Sequence, residues 1–336
     1  MVDFRYHLVS LISVFLALAV GIVLGAGPLR EGISDTLTGQ VQSLREDRDR
    51  LRAELEQEQA TGAGRAEMIA AMQDEAVAGM LTGQRVAIVT LPGASDVEAI
   101  NEVLTEAGAT VAGQATVSEA LIDPDSAAFR STFTGQLAGY LEPAPEADAS
   151  SEEVLGQAIA QTLSAPADDD AARTLVELLS SPDPAIVTFA GDAQVDADAI
   201  VVVGPAHVAV SDAEESASIK EANTAYARVV EGLGYHHVAV LTGSAGSAYD
   251  LLTLVREGAA KDGVTTVDSA GGPILTVNLP RALAAELNGT FGHYGVQIGA
   301  GSVFAPGQAA EKQPETDATR DELDEAEAEE SASSED

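Results

Sequence analysis

Cysteine and tryptophan are absent from the chain, and lysine occurs only as Lys220, Lys261 and Lys312. Without cysteine the protein has no disulfide, no thiol nucleophile, no thiolate zinc site and no cysteine-ligated cluster. The lack of cysteine is compatible with an oxidising exterior, although it does not require one.

Basic residues are scarce overall. The sequence has 17 Lys and Arg against 54 Asp and Glu, which gives a formal net charge of −37. This charge argues against electrostatic attraction to nucleic acids or to anionic lipid headgroups. At 46% hydrophobic content, the chain still has enough apolar residues for one large core or two small ones.

Charge is missing from one long stretch, residues 8–26. A helix of this length is roughly 28 Å long, which is close to the thickness of a bilayer's hydrocarbon core. The stretch predicts an uncleaved membrane anchor over residues 1–27. A cleaved signal peptide and a buried core helix are the alternatives. Arg5 before the stretch, against Arg30 and no further basic residue until Arg45 after it, weakly favours a cytoplasmic N-terminus.

Residues 28–83 carry a heptad-like pattern whose core positions are spaced alternately by four and three residues. The apolar seam consists of Leu37, Val41, Leu44, Leu51 and Leu55, with Arg48 at one core position. Charged residues of opposite sign flank the seam at i,i+4 spacing, as in Glu46–Arg50 and Arg52–Glu56. The pattern predicts a coiled coil with a second copy or with a partner membrane protein. A single amphipathic helix lying on its own domain is the alternative.

Strand and helix patterns alternate over residues 84–308. Strands are predicted at 86–90, 110–116, 187–189, 199–203, 237–242 and 274–278. Helices are predicted at 95–108, 218–232, 247–258 and 280–287, the first opened by a capping box of Ser95 and Glu98, and residues 118–184 look mainly helical. The fold class is therefore α/β, with a Rossmann-like doubly wound parallel sheet. Residues 309–336 contain twelve acids and predict a disordered tail.

Ligands of such sheets bind beyond the carboxyl ends of the strands. The turns that qualify supply the candidate crevice residues Gly93, His207, Gly243, Ser244 and Gly246. Backbone amides of the turn at 243–247 could hold an anion. However, this turn has no Walker lysine, and neither Gly-x-Gly-x-x-Gly nor Gly-x-Ser-x-Gly occurs in these turns. Ordinary turn-and-cap chemistry is the favoured explanation of all three turns, and we expect no enzymatic activity.

Metal ligands form no recognisable motif in the sequence. Met68 and Met72 lie one helical turn apart and could offer thioethers to Cu(I), or they could fill a helix interface. The adjacent His236 and His237 lie near a strand start, where they would point to opposite faces. Whether any metal binds, and through which residues, stays open at this point.

One family resemblance stands out in the N-terminal block. Residues 4–11 read Phe-Arg-Tyr-His-Leu-Val-Ser-Leu, and 14–19 and 21–25 continue as Val-Phe-Leu-Ala-Leu-Ala and Gly-Ile-Val-Leu-Gly. Together with Gly-His-Tyr-Gly at 292–295 and the order of segments, this block resembles the actinobacterial copper transporter family named after MctB, which also includes SteB envelope proteins. The likeness extends to about residue 308.

This resemblance implies a single-pass protein of the plasma membrane, with its N-terminus in the cytoplasm and its folded domain outside. Resemblance to MctB-type members implies a role in copper efflux or resistance. Copper as a cofactor or cargo rests on this resemblance alone. SteB-type members imply a coiled-coil scaffold that controls cell separation through a membrane partner. One span cannot enclose a pore, so a copper path would need an oligomer or a partner.

Overall fold

The computed structural model describes residues 4–310 except 27, 124–126, 184 and 270. The helices are α1 Phe4–Ala26, α2 Pro28–Val77, α3 Val97–Glu106, α4 Ala127–Leu137, α5 Ser151–Ser164, α6 Asp170–Ser180, α7 Ala213–Leu233, α8 Leu251–Glu257 and α9 Pro273–Leu287. The strands are β1 Arg85–Thr90, β2 Thr110–Val117, β3 Val187–Ala190, β4 Ala199–Val203, β5 Ala239–Thr242, β6 Thr265–Val267 and β7 His293–Tyr294. The chain divides into two compact units, Met1–Arg65 and Ala66–Asp336.

The first unit contains α1, which is apolar on every side. Its segment Arg5–Val23 has a mean hydropathy of 2.3 and buries none of its residues within the protein. Among the described residues, it is the one helix that is long and apolar enough to cross a membrane. The predicted apolar run is therefore an unpacked helix, as a membrane anchor requires.

Helix α2 displays the predicted seam to solvent. Leu44, Leu51 and Leu55 are 67%, 59% and 58% exposed. On its flank, Arg50 pairs with Asp47 at 3.0 Å and with Glu54 at 3.8 Å. The side chain of Leu37 lies outside the described residues. An exposed apolar strip beside paired charges is what a coiled-coil helix looks like without its partner, and the coiled coil itself stays a prediction.

The second unit is built on a seven-stranded sheet of order β3-β2-β1-β4-β5-β6-β7. All neighbouring strands are parallel except β2 and β3, which pair antiparallel. The predicted mixed α/β fold with a mostly parallel sheet is confirmed. The antiparallel edge strand is the departure from a fully parallel sheet.

Helices cover both faces of this sheet. Strand β4 alternates between the two layers: Ile200 and Val202 pack toward α4–α8, whereas Val201 and Val203 pack toward α3 and α9. Each of its five residues is buried, as the continuous apolar run predicts for a strand covered on both faces. The chain thus places its loops, and any ligand site, at the ends of the strands.

The prediction of a strand at 274–278 is wrong. These residues belong to α9, which begins with Pro273 at its first turn and continues through Pro280. A short apolar run has no periodicity that separates strand from buried helix, and Pro280 made a helix through this point look improbable. The sequence patterns also missed β6 and β7, which are only three and two residues long.

The capping box predicted at Ser95 and Glu98 is also wrong. Asp96 is the N-cap of α3, with φ of 64° and no side-chain cap, and Ser95 Oγ donates to Asp96 Oδ2 at 3.0 Å. A reciprocal capping box instead opens α5, where Ser150 and Glu153 satisfy each other's backbone amides. The local pattern fits both sites, and the left-handed backbone at Asp96 decides against the first.

The predicted tail begins too early. Ala309 O accepts from Asn288 Nδ2 at 3.0 Å, and Ala310 N donates to Met80 O at 2.9 Å. These two residues therefore belong to the folded unit. Residues 311–336, the rest of the predicted tail, lie outside the described residues.

Candidate functional site

A crevice opens where the strand order reverses, beyond the carboxyl ends of β1 and β4. This is the place where doubly wound sheets bind ligands. The turns after the two strands touch here. Ala206 N donates to Gly93 O at 3.0 Å, and Ala94 forms a bridge with Pro205. Gly93 has φ of 77°, and a side chain there would press on Pro205 at 3.3 Å. Glycine therefore allows the two turns to meet.

The crevice has a volume of about 600 Å³, which suits a small organic molecule. Helix α7 forms one wall, and the turn after β2 forms another with Glu119 and Ile122. Pro205 and Val208 lie on the side of β4, and Leu251 closes the end at α8. Its surface is mainly apolar, with few polar groups.

Two polar side chains of α7 face this space three residues apart. Tyr226 lines the crevice, is only 4% exposed, and its hydroxyl has no hydrogen-bond partner among the described residues. Burial, together with the smaller effect of the negative charge of Glu119, raises the pKa of Tyr226 to about 12. The phenol is therefore neutral at physiological pH. Asn223 donates through Nδ2 to Tyr249 O at 2.8 Å.

Asp250, which belongs to no sequence motif, organises the turn after β5. His207 Nδ1 lies 3.0 Å from Asp250 Oδ2, and Ser244 Oγ donates to the same oxygen at 3.1 Å. Ser247 Oγ donates to Oδ1 at 2.9 Å. Gly246 N donates to Ser244 Oγ at 3.3 Å. Three of the predicted crevice residues therefore meet around one carboxylate that no spacing pattern pointed to.

The other two predicted residues have different surroundings. Gly93 lines the crevice directly. Gly243 lies at the end of β5, where a side chain would meet Leu252 at 2.9 Å and the backbone of Gly204 at 3.6 Å. Gly243 therefore serves the close packing of two strand ends.

The His–Asp–Ser grouping differs from a catalytic triad in its hydrogen bonds. In a triad the serine hydroxyl donates to the imidazole, which takes up its proton. Here Ser244 and Ser247 donate to Asp250, so the carboxylate and not the histidine holds both hydroxyls. This geometry orders a turn and leaves neither serine activated as a nucleophile.

The backbone amides of the glycine-rich turn at 243–247 donate to acceptors within the protein. Ala245 N donates to Gln297 Oε1 at 2.6 Å, and Ser247 N donates to Asp250 Oδ2 at 3.1 Å. With Gly246 N bound to Ser244, three successive amides are satisfied within the protein. Asp250 also adds a negative charge. The turn is therefore poorly suited to hold an anion.

A second polar cluster, also missed from the sequence, lies at the opposite end of α8. Arg256 donates to Asp268, to Thr266 and to the carbonyl oxygens of Tyr294 and Ile298. Burial lowers the pKa of Arg256, and the hydrogen bond and the charge of Asp268 act against this change. The cluster fixes the segment that follows β7 and has a structural role.

Metal-ligating side chains do not converge in the described part of the chain. No group of three or more His, Asp or Glu residues there is arranged to hold a metal ion. Met68 and Met72, on the last turns of α2, are both exposed. Thioethers are soft ligands of the kind that selects Cu(I), and copper binding by this pair stays a prediction.

Comparison with known proteins adds to this geometry. The family model described as "Copper transport outer membrane protein, MctB" matches residues 1–305. The chain belongs to the MctB family. Similar relatives include the proteins named "Copper transporter MctB" of Mycobacterium bovis and Mycobacterium tuberculosis, each 29% identical over 136 residues. The match covers 38% of this chain and 41% of each relative, so it spans well under half of these MctB proteins.

Proposed function

We propose that this protein is a membrane-anchored envelope component that supports copper efflux or homeostasis. The observation that carries the proposal is membership of the MctB family over residues 1–305. The names of the mycobacterial relatives point to copper as the cargo. The proposal concerns a cell-envelope role, with α1 as a single-pass anchor in the plasma membrane.

In this proposal the protein acts as a scaffold and not as a conduit. One apolar helix cannot surround a polar path, because each of its sides would face either lipid or a partner. The N-terminus would lie in the cytoplasm, since Arg5 precedes the span, and the acidic α/β unit would lie outside. We further propose that it has no enzymatic activity, because the grouping around Asp250 leaves its serines unactivated.

Deleting the gene in the source organism tests the copper role. We expect the deletion strain to accumulate more cell-associated copper and to stop growing at lower copper concentrations. The complete chain should restore both properties, and a chain without residues 1–27 should not. A deletion strain with unchanged copper content and unchanged copper sensitivity would contradict the proposal.

A coiled-coil scaffold that regulates cell-wall hydrolysis and cell separation is the second candidate function. The exposed seam of α2 favours it, because 67% of Leu44 and 59% of Leu51 face solvent. Apolar positions at heptad spacing are stable in water only when a second helix covers them. This function predicts chained or unseparated cells after gene deletion, at copper concentrations that do not limit growth.

A further inference from the structure

We infer that the crevice between the ends of β1 and β4 binds a small molecule that carries an ammonium group on an apolar body. This ligand site is separate from the proposed copper role. It rests on the charge of the crevice walls, on the unused polar groups of α7 and on the blocked phosphate position of the fold.

The charge of the crevice favours a cation. Glu119, Asp123 and Asp250 line it, and its described lining contains no Lys, Arg or His. The carboxylate of Asp250 is already held by its three side-chain partners, whereas Glu119 is exposed beside Tyr226. A ligand ammonium group near Glu119 would replace water with a charge-assisted hydrogen bond.

Helix α7 provides acceptors for the same group. Tyr226 as a whole is only 4% exposed and lines the crevice, but its hydroxyl oxygen is not among the fully buried atoms that lack a partner. The hydroxyl is therefore open to the crevice, where it can accept from a ligand. The amide of Asn223 uses its Nδ2 on Tyr249 O, which leaves its Oδ1 to accept from a ligand. Residues three apart on a helix project from one face, so both oxygens can reach one bound group.

The apolar walls of the crevice favour a ligand whose body, beyond its ammonium group, is apolar. Ile219 and Ala222 lie on α7, Ile122 and Val208 lie on the two turns, and Leu251 forms the far end. A volume of about 600 Å³ holds an aromatic ring or a short alkyl chain with space for further substituents. The expected ligand is therefore amphipathic rather than a bare inorganic cation.

Nucleotides, which bind at this place in many doubly wound folds, do not fit. Their phosphates lie at the N-terminus of the helix that follows the first strand. Here Pro92 has no N–H, Ala94 N is bound to Leu91 O at 3.1 Å, and Asp96 places a carboxylate at the start of α3. An anion at this place would meet the negative charge of Asp96, and neither Pro92 nor Ala94 offers it an amide.

The test uses the complete chain in phosphatidylcholine nanodiscs and three probes of similar size. The probes are 4-fluorobenzylamine, 4-fluorobenzyl alcohol and 4-fluorobenzoate, each followed by fluorine NMR. Empty nanodiscs correct for partition into lipid. A NaCl concentration of about 0.5 M suppresses general attraction to the acidic surface, because the Debye length is then only a few Å. We expect saturable binding of the amine, weaker binding of the alcohol and no binding of the benzoate.

Variants locate the site. Glu119→Gln should weaken binding of the amine about tenfold, as loss of a charged hydrogen-bond partner does, and should leave binding of the alcohol unchanged. Ala222→Phe fills the crevice and should abolish binding of both probes. The controls are Glu98→Gln, an exposed acid on α3, and Ala217→Phe, on an exposed part of α7, and neither should change binding.

The inference is overturned if the benzoate binds as tightly as the amine, or if no probe binds saturably. It is also overturned if Glu119→Gln and Glu98→Gln have the same effect, because the amine would then respond to overall charge rather than to the crevice. Thermal unfolding of each variant confirms that the α/β unit is folded.

Discussion

Arg256 Nη1 lies 3.0 Å from Asp268 Oδ2, and neither side chain exposes more than 1% of its surface. Asp268 also accepts from Val296 N at 2.9 Å and from Gln297 N at 3.0 Å. The pair thereby attaches the segment after β7 to the edge of the sheet. Such a pair is tolerated because its charges are matched and its remaining polar atoms are bonded.

Replacing Asp268 with Asn should destabilise the α/β unit strongly. The substitution leaves the buried Arg256 charge without its counter-charge, which costs about 3–5 kcal/mol in the free energy of unfolding. Near-UV circular dichroism of the complete chain can follow the loss of tertiary structure on heating. Asp170→Asn is the matched control, because it breaks only the exposed pair with Arg173 and should cost less than about 1 kcal/mol. Equal effects of the two substitutions would refute the structural role of Asp268.

Glu286 should make the stability of the α/β unit depend on pH. It is buried, its Oε1 accepts from Ala239 N at 3.0 Å, and its Oε2 has no hydrogen-bond partner among the described residues. Burial raises the pKa of Glu286 from 4.5 to about 7. The unfolded chain loses this proton near pH 4.5 and the folded chain near pH 7, so stability is complete below pH 4.5 and is lost as pH rises to 7.

The size of this loss is roughly 3 kcal/mol, from the difference between the two pKa values. Glu286→Gln cannot ionise, and we expect its melting temperature to fall much less between pH 5 and pH 8 than that of the unmodified chain. Glu98→Gln, on an exposed part of α3, should retain the full pH dependence. Parallel pH profiles for Glu286→Gln and the unmodified chain would contradict the assignment.

Glycine at position 232 allows α5 and α7 to touch. A Cβ atom there would lie 2.0 Å from Glu153 O, and one at Gly156 would lie 2.1 Å from Val229 O. Gly232→Ala therefore forces the helices apart, and we expect it to cost at least about 1–3 kcal/mol. Urea unfolding of the complete chain measures this. Gly135→Ala, on α4 with no atom within 4 Å of the new Cβ, should be neutral or stabilising by up to about 1 kcal/mol.

Cysteine cross-linking tests the coiled coil directly, because the chain has no native cysteine. If two copies pair in parallel from one membrane, each seam residue meets its own counterpart. Leu44→Cys and Leu51→Cys should then form disulfide-linked dimers in oxidised native membranes. Ala53→Cys, on the other side of α2, should stay monomeric.

Cross-linking to a different protein would instead identify a partner membrane protein. Equal cross-linking at positions 51 and 53 would show random collision and would count against a seam.

Much of the architecture could be predicted from local patterns. The run at 8–26 lacks charge over the length of a bilayer, and the run at 199–203 is apolar throughout, so each specifies its element without reference to distant residues. Helix α9 could not be predicted in this way. Its first half reads as a strand, whereas in the fold it is a helix through Pro280 whose Asn278 bonds Val303 O and Ala305 N, two distant partners that local patterns do not reveal.

The sequence by itself determined that an apolar helix precedes an α/β unit, because charge and periodicity act over a few neighbouring residues. Tertiary structure decided which polar groups meet. His207 and Asp250 are 43 residues apart, and Tyr226 faces Glu119 from a different element. A polar group loses its hydration when it is buried and therefore needs a hydrogen-bond partner. That partner can lie anywhere in the chain, so strand order and helix packing decide which groups meet.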